Sequence, residues 1–234
     1  MGDDKRLGRY LGTTFLVVFV GSVLSEALTL SLFSDNTADT LENIAGNTAL
    51  LRWSTVMELC ITSVGIVVLA ALLYAAVKHQ NPLLAVLALG CSIAEATILA
   101  VSTLGSFLLI PVSETYAEAG SAAPELIFLA DSLRDFDRFG WEVHHVFFGV
   151  AGLTWYALMY QSRRIPRWLS IWGILAVGVA GSSSILLLAT DIDLFFLAFP
   201  TGLFELVLGI WLVVHGLASN EPNPEPTSRS SSVT

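Results

Sequence analysis

The sequence predicts an all-α protein, a polytopic membrane helical bundle of six transmembrane helices with a short interfacial helix before the fourth. Hydrophobic residues make up 54% of the 234 residues and charged residues only 13%, which is too apolar for a water-soluble domain of this size. Apolar runs of about 20 residues, the length that crosses the hydrocarbon core of a bilayer, recur along the whole chain. Short polar or proline-containing breaks separate these runs.

The apolar runs predict spans at residues 10–33, 50–77, 83–110, 139–161, 168–189 and 194–216. The breaks include Asn81-Pro82, Pro111, Pro124 and Pro166, and proline ends or interrupts helices because it lacks an N–H donor. We expect residues 1–218 to form a single six-helix transmembrane domain. Residues 219–234, rich in Pro, Ser and Glu, have the composition of a disordered tail.

The interfacial helix is predicted from a periodic pattern before the fourth span. The apolar residues Leu126, Leu129, Leu133 and Phe136 recur at helical spacing, opposite charged side chains of the same segment. Such an amphipathic pattern is typical of a helix that lies at the membrane surface.

The orientation follows from the basic residues, because Lys and Arg are retained on the cytoplasmic side of a membrane. With the amino terminus inside, eight of the eleven Lys and Arg residues fall in cytoplasmic segments, and only Arg52, Arg134 and Arg138 fall outside. We therefore expect a multi-pass protein of the plasma membrane with both termini, and the tail, in the cytoplasm. The lipid bilayer is its first partner, and nothing in the basic residues indicates a nucleic-acid partner.

The residues with the strongest functional signal are ionisable side chains within apolar spans: Glu26, Glu58, Glu95 and Glu205, with Glu142 and His145 nearer a membrane end. An acid at mid-membrane costs about 2.5 to 3.5 kcal/mol on insertion scales. Each acid lies at helical spacing from small or hydroxylated residues rather than among Leu and Phe, so we expect a polar layer inside the bundle. His144 lies off this small-residue face and is expected to be a packing residue.

Three functions fit this layer. The leading hypothesis is a non-enzymatic membrane protein whose polar layer binds a small ligand, ion or proton, in a transport or regulatory role. The second is an intramembrane metal-dependent or acid/base enzyme that uses Glu58, Glu95, Glu205 and His145. The third is a purely structural or interaction protein, in which protonated acids hydrogen-bond across helices. No motif for a cofactor or for a confident metal site was found.

Several stretches resemble the bacterial membrane-protein family called domain of unknown function 4386. The clearest is residues 162–169, Ser-Arg-Arg-Ile-Pro-Arg-Trp-Leu, followed by Trp172-Gly173. Further similar stretches are Glu42-Asn43-Ile44, Glu95-Ala96, Leu133-Arg134-Asp135-Phe136 and Trp211-Leu212. The resemblance implies a six-helix integral membrane protein and supplies no activity. The chain departs from the family at Ser92, where relatives often have Arg, at His215, where they often have Lys, and at the pair His144-His145.

Overall fold

The computed structural model describes residues 2–120, 123–190, 192, 194, 196 and 199–218. Within these residues the regular structure is helical, as predicted. The helices are α1 (Gly2–Leu30), α2 (Thr37–Gly46), α3 (Thr48–Val77), α4 (Pro82–Glu118), α5 (Pro124–Ser162), α6 (Arg167–Thr190) and α7 (Phe199–His215). The tail predicted for residues 219–234 lies outside the described residues.

Four helices are long and apolar enough to cross a membrane: α1 from Asp3 onwards, α3, α4 and α6. The shorter helix α7 is also apolar. Large exposed hydrophobic side chains cover the outside of the bundle, among them Val17, Leu24, Val68 and Leu175. A water-soluble protein rarely exposes so many of them, whereas a protein surrounded by lipid does. The helical class and the membrane-span length of several helices therefore agree with the sequence.

The prediction that the helix of the third span ends before Pro111 was wrong. Helix α4 runs through Pro111 to Glu118, although proline removes one helical hydrogen bond. Val112, Ser113 and Tyr116 beyond the proline are buried, and α4 packs there against α2. We attribute the continuation to this burial, which offsets the lost hydrogen bond.

The predicted interfacial segment and the predicted fourth span form one helix, α5, of 39 residues. The side chains of Leu126, Ile127 and Leu133 pack against a buried apolar cluster, while Leu129 and Phe136 are exposed. The first part of α5 also contacts α2. It is therefore a packed extension of a long helix rather than a separate helix.

The six helices other than α2 form a ring. Helix α1 contacts α3 and α7, and contacts from α3 to α4, α4 to α5, α5 to α6 and α6 to α7 complete the circle. Glycine permits the closest approaches, since a side chain added at Gly12 would lie 2.7 Å from the backbone of Gly209, and one at Gly149 would lie 3.0 Å from the backbone of Gly181. Small residues at such crossings are the usual device for packing helices in lipid.

One end of the ring, which we call the Arg164 end, is held by a buried arginine in the turn between α5 and α6. Arg164 Nη1 donates to the carbonyl of Ala76 at 2.9 Å, and Nη2 forms an ion pair with Asp4. The carbonyl of Arg164 accepts a hydrogen bond from the Ala218 amide at 3.0 Å. Arg164 therefore contacts the start of α1, the end of α3 and the segment after α7.

The opposite end, which we call the α2 end, is covered by α2. Arg134 on α5 donates to Thr37 Oγ1 at 3.0 Å and to the Ser34 carbonyl at 3.2 Å. Thr37 in turn donates to the carboxylate of Asp131. These contacts fasten α2 and the loop before it to the first part of α5.

Candidate functional site

The candidate site is a polar zone between two buried apolar clusters. One cluster, near the Arg164 end, includes Leu11, Leu73 and Trp155. The other, near the α2 end, includes Leu32, Leu51 and Leu109. On α1, α3 and α4 the predicted acids Glu26, Glu58 and Glu95 lie between the residues of the two clusters in the sequence. The contacts of the acids divide them into two groups.

The first group, which we call the Glu58 group, consists of Glu26, Glu58 and Asp137. The Glu58 side chain is 9% exposed, and Thr62 Oγ1 donates a hydrogen bond to its Oε2 at 3.4 Å. The Ser25 hydroxyl donates to the Ser54 carbonyl at 3.0 Å. The Glu58 carboxyl is in electrostatic contact with Glu26 and Asp137. The acids of this group therefore come from α1, α3 and α5.

Glu58 begins a π-helical segment, Glu58–Ser63, within α3. A π segment holds one more residue per turn than an α-helix and is frequent at functional sites. The Glu58 Oε1 atom is buried and has no hydrogen-bond partner among the described residues. A buried polar oxygen without a partner is costly, which sets Glu58 apart from an ordinary packing residue.

Glu26 is an exposed residue of α1. Gly12 of α1 packs against Gly209, and α7 begins ten residues before Gly209, at Phe199. Glu26 therefore lies about one helical turn beyond the first residue of α7. Val23 and Leu30, one turn before and after Glu26 on α1, are exposed apolar residues, so the inward placement predicted for Glu26 is not seen.

Asp137 was not predicted as a site residue, because the sequence placed it in an outer segment. In the structure Ser106 donates a hydrogen bond to its carboxylate, and it is in electrostatic contact with Glu26. A signal was present: Asp137, Gly140 and His144 follow one another at helical spacing on α5, and Gly140 packs closely on Ser102 of α4. That face of α5 points at α4.

The second group, which we call the Glu95 group, consists of Glu95, Glu205 and Tyr156. Glu95 on α4 is 5% exposed and is in electrostatic contact with Glu205 of α7 and with Tyr156 of α5. The ring of Tyr156 packs edge-on against Phe204 at 4.9 Å between centroids. The residues of this group therefore come from α4, α5 and α7.

The histidines are arranged differently from the prediction. His144, expected to be a packing residue, is buried and interacts with the main chain of Glu95, and its Nδ1 has no hydrogen-bond partner among the described residues. His145 is paired through Nδ1 with the Trp141 carbonyl of its own helix at 3.0 Å. The predicted residue Glu142 is buried and in electrostatic contact with His145.

The donor atoms of both groups are carboxyl and hydroxyl oxygens. Hard oxygen donors suit protons, hard cations and N–H donors. A metal ion needs several donor atoms that converge at roughly 2.0 to 2.6 Å. Within the described part of the chain, no three His, Cys, Asp or Glu side chains are grouped so that they could hold such an ion.

Comparisons with curated proteins and with solved structures return no match to the chain. A family model does match: the one described as a domain of unknown function (DUF4386) aligns with residues 10–216. This interval contains both groups of acids and all seven helices except the first turns of α1. The chain belongs to the DUF4386 family.

Proposed function

We propose that the chain is a six-span plasma-membrane protein whose interior carboxyls bind protons, cations or a small cationic ligand, in a transport or regulatory role. The observation that supports this most directly is that the interior acids interact with one another. Glu58 interacts electrostatically with Glu26 and Asp137, and Glu95 with Glu205 and Tyr156. Each group therefore holds acids within electrostatic range of one another, in a protein that lipid surrounds.

Such groups cannot all be ionised at once. Like charges that are close together in a medium of low dielectric repel strongly, so neighbouring carboxyls share protons or bind a cation. A purely structural layer would need only hydrogen-bonded pairs of polar groups. Two sets of acids that interact electrostatically, one of which includes a buried oxygen without a partner among the described residues, favour a site that exchanges cations or protons.

Six spans follow if the second half of α5 and α7 cross the membrane along with the four long apolar helices. An even number of spans would place both termini on the same side, and the distribution of Lys and Arg makes that side the cytoplasm, with α2 and the start of α5 outside. Reporter fusions at Asp39 and at Ala123 test this, because both should report an external location. A cytoplasmic signal at either position would contradict the proposed topology.

The site is tested by titrating carboxyl infrared bands of the full-length protein in lipid vesicles. We expect Glu58→Gln and Glu95→Gln each to remove a protonatable carboxyl while the fold is retained, since glutamine has a similar volume and still accepts hydrogen bonds. Glu114→Gln is the matched control because Glu114 is an exposed residue of α4. The binding proposal fails if the two interior variants titrate like the control.

Flux measurements separate a transport role from packing. Vesicles that contain a trapped pH-sensitive dye should show protein-dependent movement of protons or cations, and both interior Gln variants should abolish it. Variants that fold and behave like the wild type in both assays would instead support the structural interpretation of the acids.

A further inference from the structure

The Arg164 end concentrates positive charge around its buried arginine. Arg164 pairs with Asp4 of α1 and donates to the Ala76 carbonyl of α3. Four basic residues lie within three positions of Arg164 or of one of these two contacts: Lys5, Lys78, Arg163 and Arg167. We call these four residues the basic collar. Because Arg164 holds their segments together, their charges add to a single positive potential.

The described residues do not neutralise the basic collar. Of the described segments that meet at this end, only α1 carries carboxylates, those of Asp3 and Asp4, and Asp4 is paired with Arg164. No collar residue forms an ion pair within the described part of the chain. Three of the four side chains are exposed, those of Lys5, Arg163 and Arg167, so an anion from outside the protein can reach them.

Aromatic side chains place the collar at the depth of the lipid headgroups. The Arg167 guanidinium lies 5.2 Å from the centroid of the Tyr160 ring. The Lys78 ammonium lies 5.9 Å from the centroid of the Tyr74 ring. Trp168, next to Arg167, is 55% exposed. Tyr and Trp are enriched where membrane-spanning helices pass through the headgroup layer, and cation–π attraction holds each cation at the level of its ring.

The surface below the collar matches lipid chains. Leu175, about two turns along α6 from Trp168, and Val67, about three turns along α3 from Lys78, are exposed apolar residues. A free anion would match only the charge of the collar. A phospholipid places its phosphate beside the cations while its chains cover these apolar residues.

We propose that the basic collar binds the phosphate group of an anionic phospholipid from the leaflet that surrounds the Arg164 end. Arg163 and Arg167 donate charge-assisted hydrogen bonds to phosphate oxygens, and Lys5 and Lys78 supply further positive charge. This site goes beyond the proposed function, because it uses none of the interior acids.

Native mass spectrometry of the full chain in detergent tests the site by counting bound lipids during titration. The probes are phosphatidylglycerol, which has a net negative charge, and phosphatidylcholine with the same acyl chains, which has none. We expect phosphatidylglycerol to bind more tightly by at least roughly tenfold, since each Lys or Arg near an anionic lipid contributes about fivefold in affinity. Arg167→Gln should weaken phosphatidylglycerol binding about fivefold, and Arg167→Lys, which keeps the charge, should weaken it less.

Arg52→Gln is the matched control. Arg52 is also an exposed arginine over an aromatic ring, 5.8 Å from the centroid of Phe107. It follows Leu51 of the apolar cluster near the α2 end, far from the collar, so its replacement should leave phosphatidylglycerol binding unchanged.

Three results would overturn the inference. They are equal binding of the two lipids, equal effects of Arg167→Gln and Arg52→Gln, and displacement of phosphatidylglycerol by inorganic phosphate at the same concentration, which would indicate a site for the free anion. If Arg167→Gln does not fold, Arg163→Gln provides the same test at the exposed arginine of the turn.

Discussion

Replacement of Arg164 by methionine should destabilise the bundle strongly. The substitution keeps an apolar stem of similar length but removes the guanidinium that donates to the Ala76 carbonyl and pairs with Asp4. The carbonyl at the end of α3 then loses its donor, at a cost of roughly 1 to 3 kcal/mol. The Asp4 side chain is 29% exposed, so water can solvate its carboxylate once the guanidinium is removed. Loss of the ion pair therefore contributes only about 1 kcal/mol.

The sum is about 3 kcal/mol, which for a chain of this length corresponds to a fall in melting temperature of about 6 to 12 °C. The change can be measured by tryptophan fluorescence during heating of the purified protein in detergent. Arg163→Met is the matched control, because Arg163 is the adjacent residue and is exposed. If Arg164→Met and Arg163→Met melt at the same temperature, Arg164 does not hold this end of the bundle and the reasoning is wrong.

Two further predictions concern packing and the site. Gly12→Ala should destabilise the protein by about 1 to 3 kcal/mol, because the added Cβ would lie 2.7 Å from the backbone of Gly209. Gly90→Ala is the control: a Cβ there has nothing within 4 Å, and alanine favours a helix by about 0.5 to 1 kcal/mol, so the melting temperature should rise slightly. If Gly90→Ala melts at a lower temperature than Gly12→Ala, the packing argument is wrong. Asp137→Asn should change stability by less than about 0.5 kcal/mol, because the amide oxygen still accepts the hydrogen bond from Ser106. A larger fall in stability in the same melting experiments would contradict this.

The helices were predictable because lipid imposes a simple rule. A span needs about 20 apolar residues and must satisfy its backbone hydrogen bonds internally, so the composition of residues 50–77 or 168–189 leaves little choice. The point at which a helix ends is less constrained. Tyr116 beyond Pro111 is buried through contacts with elements that are distant in sequence, and no local pattern contains that information.

The inward placement of Glu58 and Glu95 was also predictable. Both lie at helical spacing from small or hydroxylated residues, and both are buried in the structure. Their partners were not predictable, since those depend on how far one helix is shifted along another. A shift of two residues in α5 would have brought different side chains to Ser106 instead of Asp137.

The two histidines show the same limit. They are adjacent on α5 and differ in direction by about 100°, so a small rotation of the helix decides which of them meets α4. The small-residue pattern pointed to His145, but the contact with Glu95 belongs to His144. Packing at Gly140 and Gly149 sets that rotation, and it can be recognised only once the neighbouring helices are known.

The π-helical segment at residues 58–63 has a consequence for comparing family members. A π segment accommodates one residue more than an α-helix of the same rise, so that the flanking turns keep their orientation. A relative that lacks the segment should therefore show a one-residue gap within 58–63 while both flanks stay aligned. In a relative with this gap, regular helix would replace the π segment, and the counterpart of Glu58 would point in a different direction relative to α1. The gap would therefore divide the family into chains that hold this acid in its present position and chains that do not.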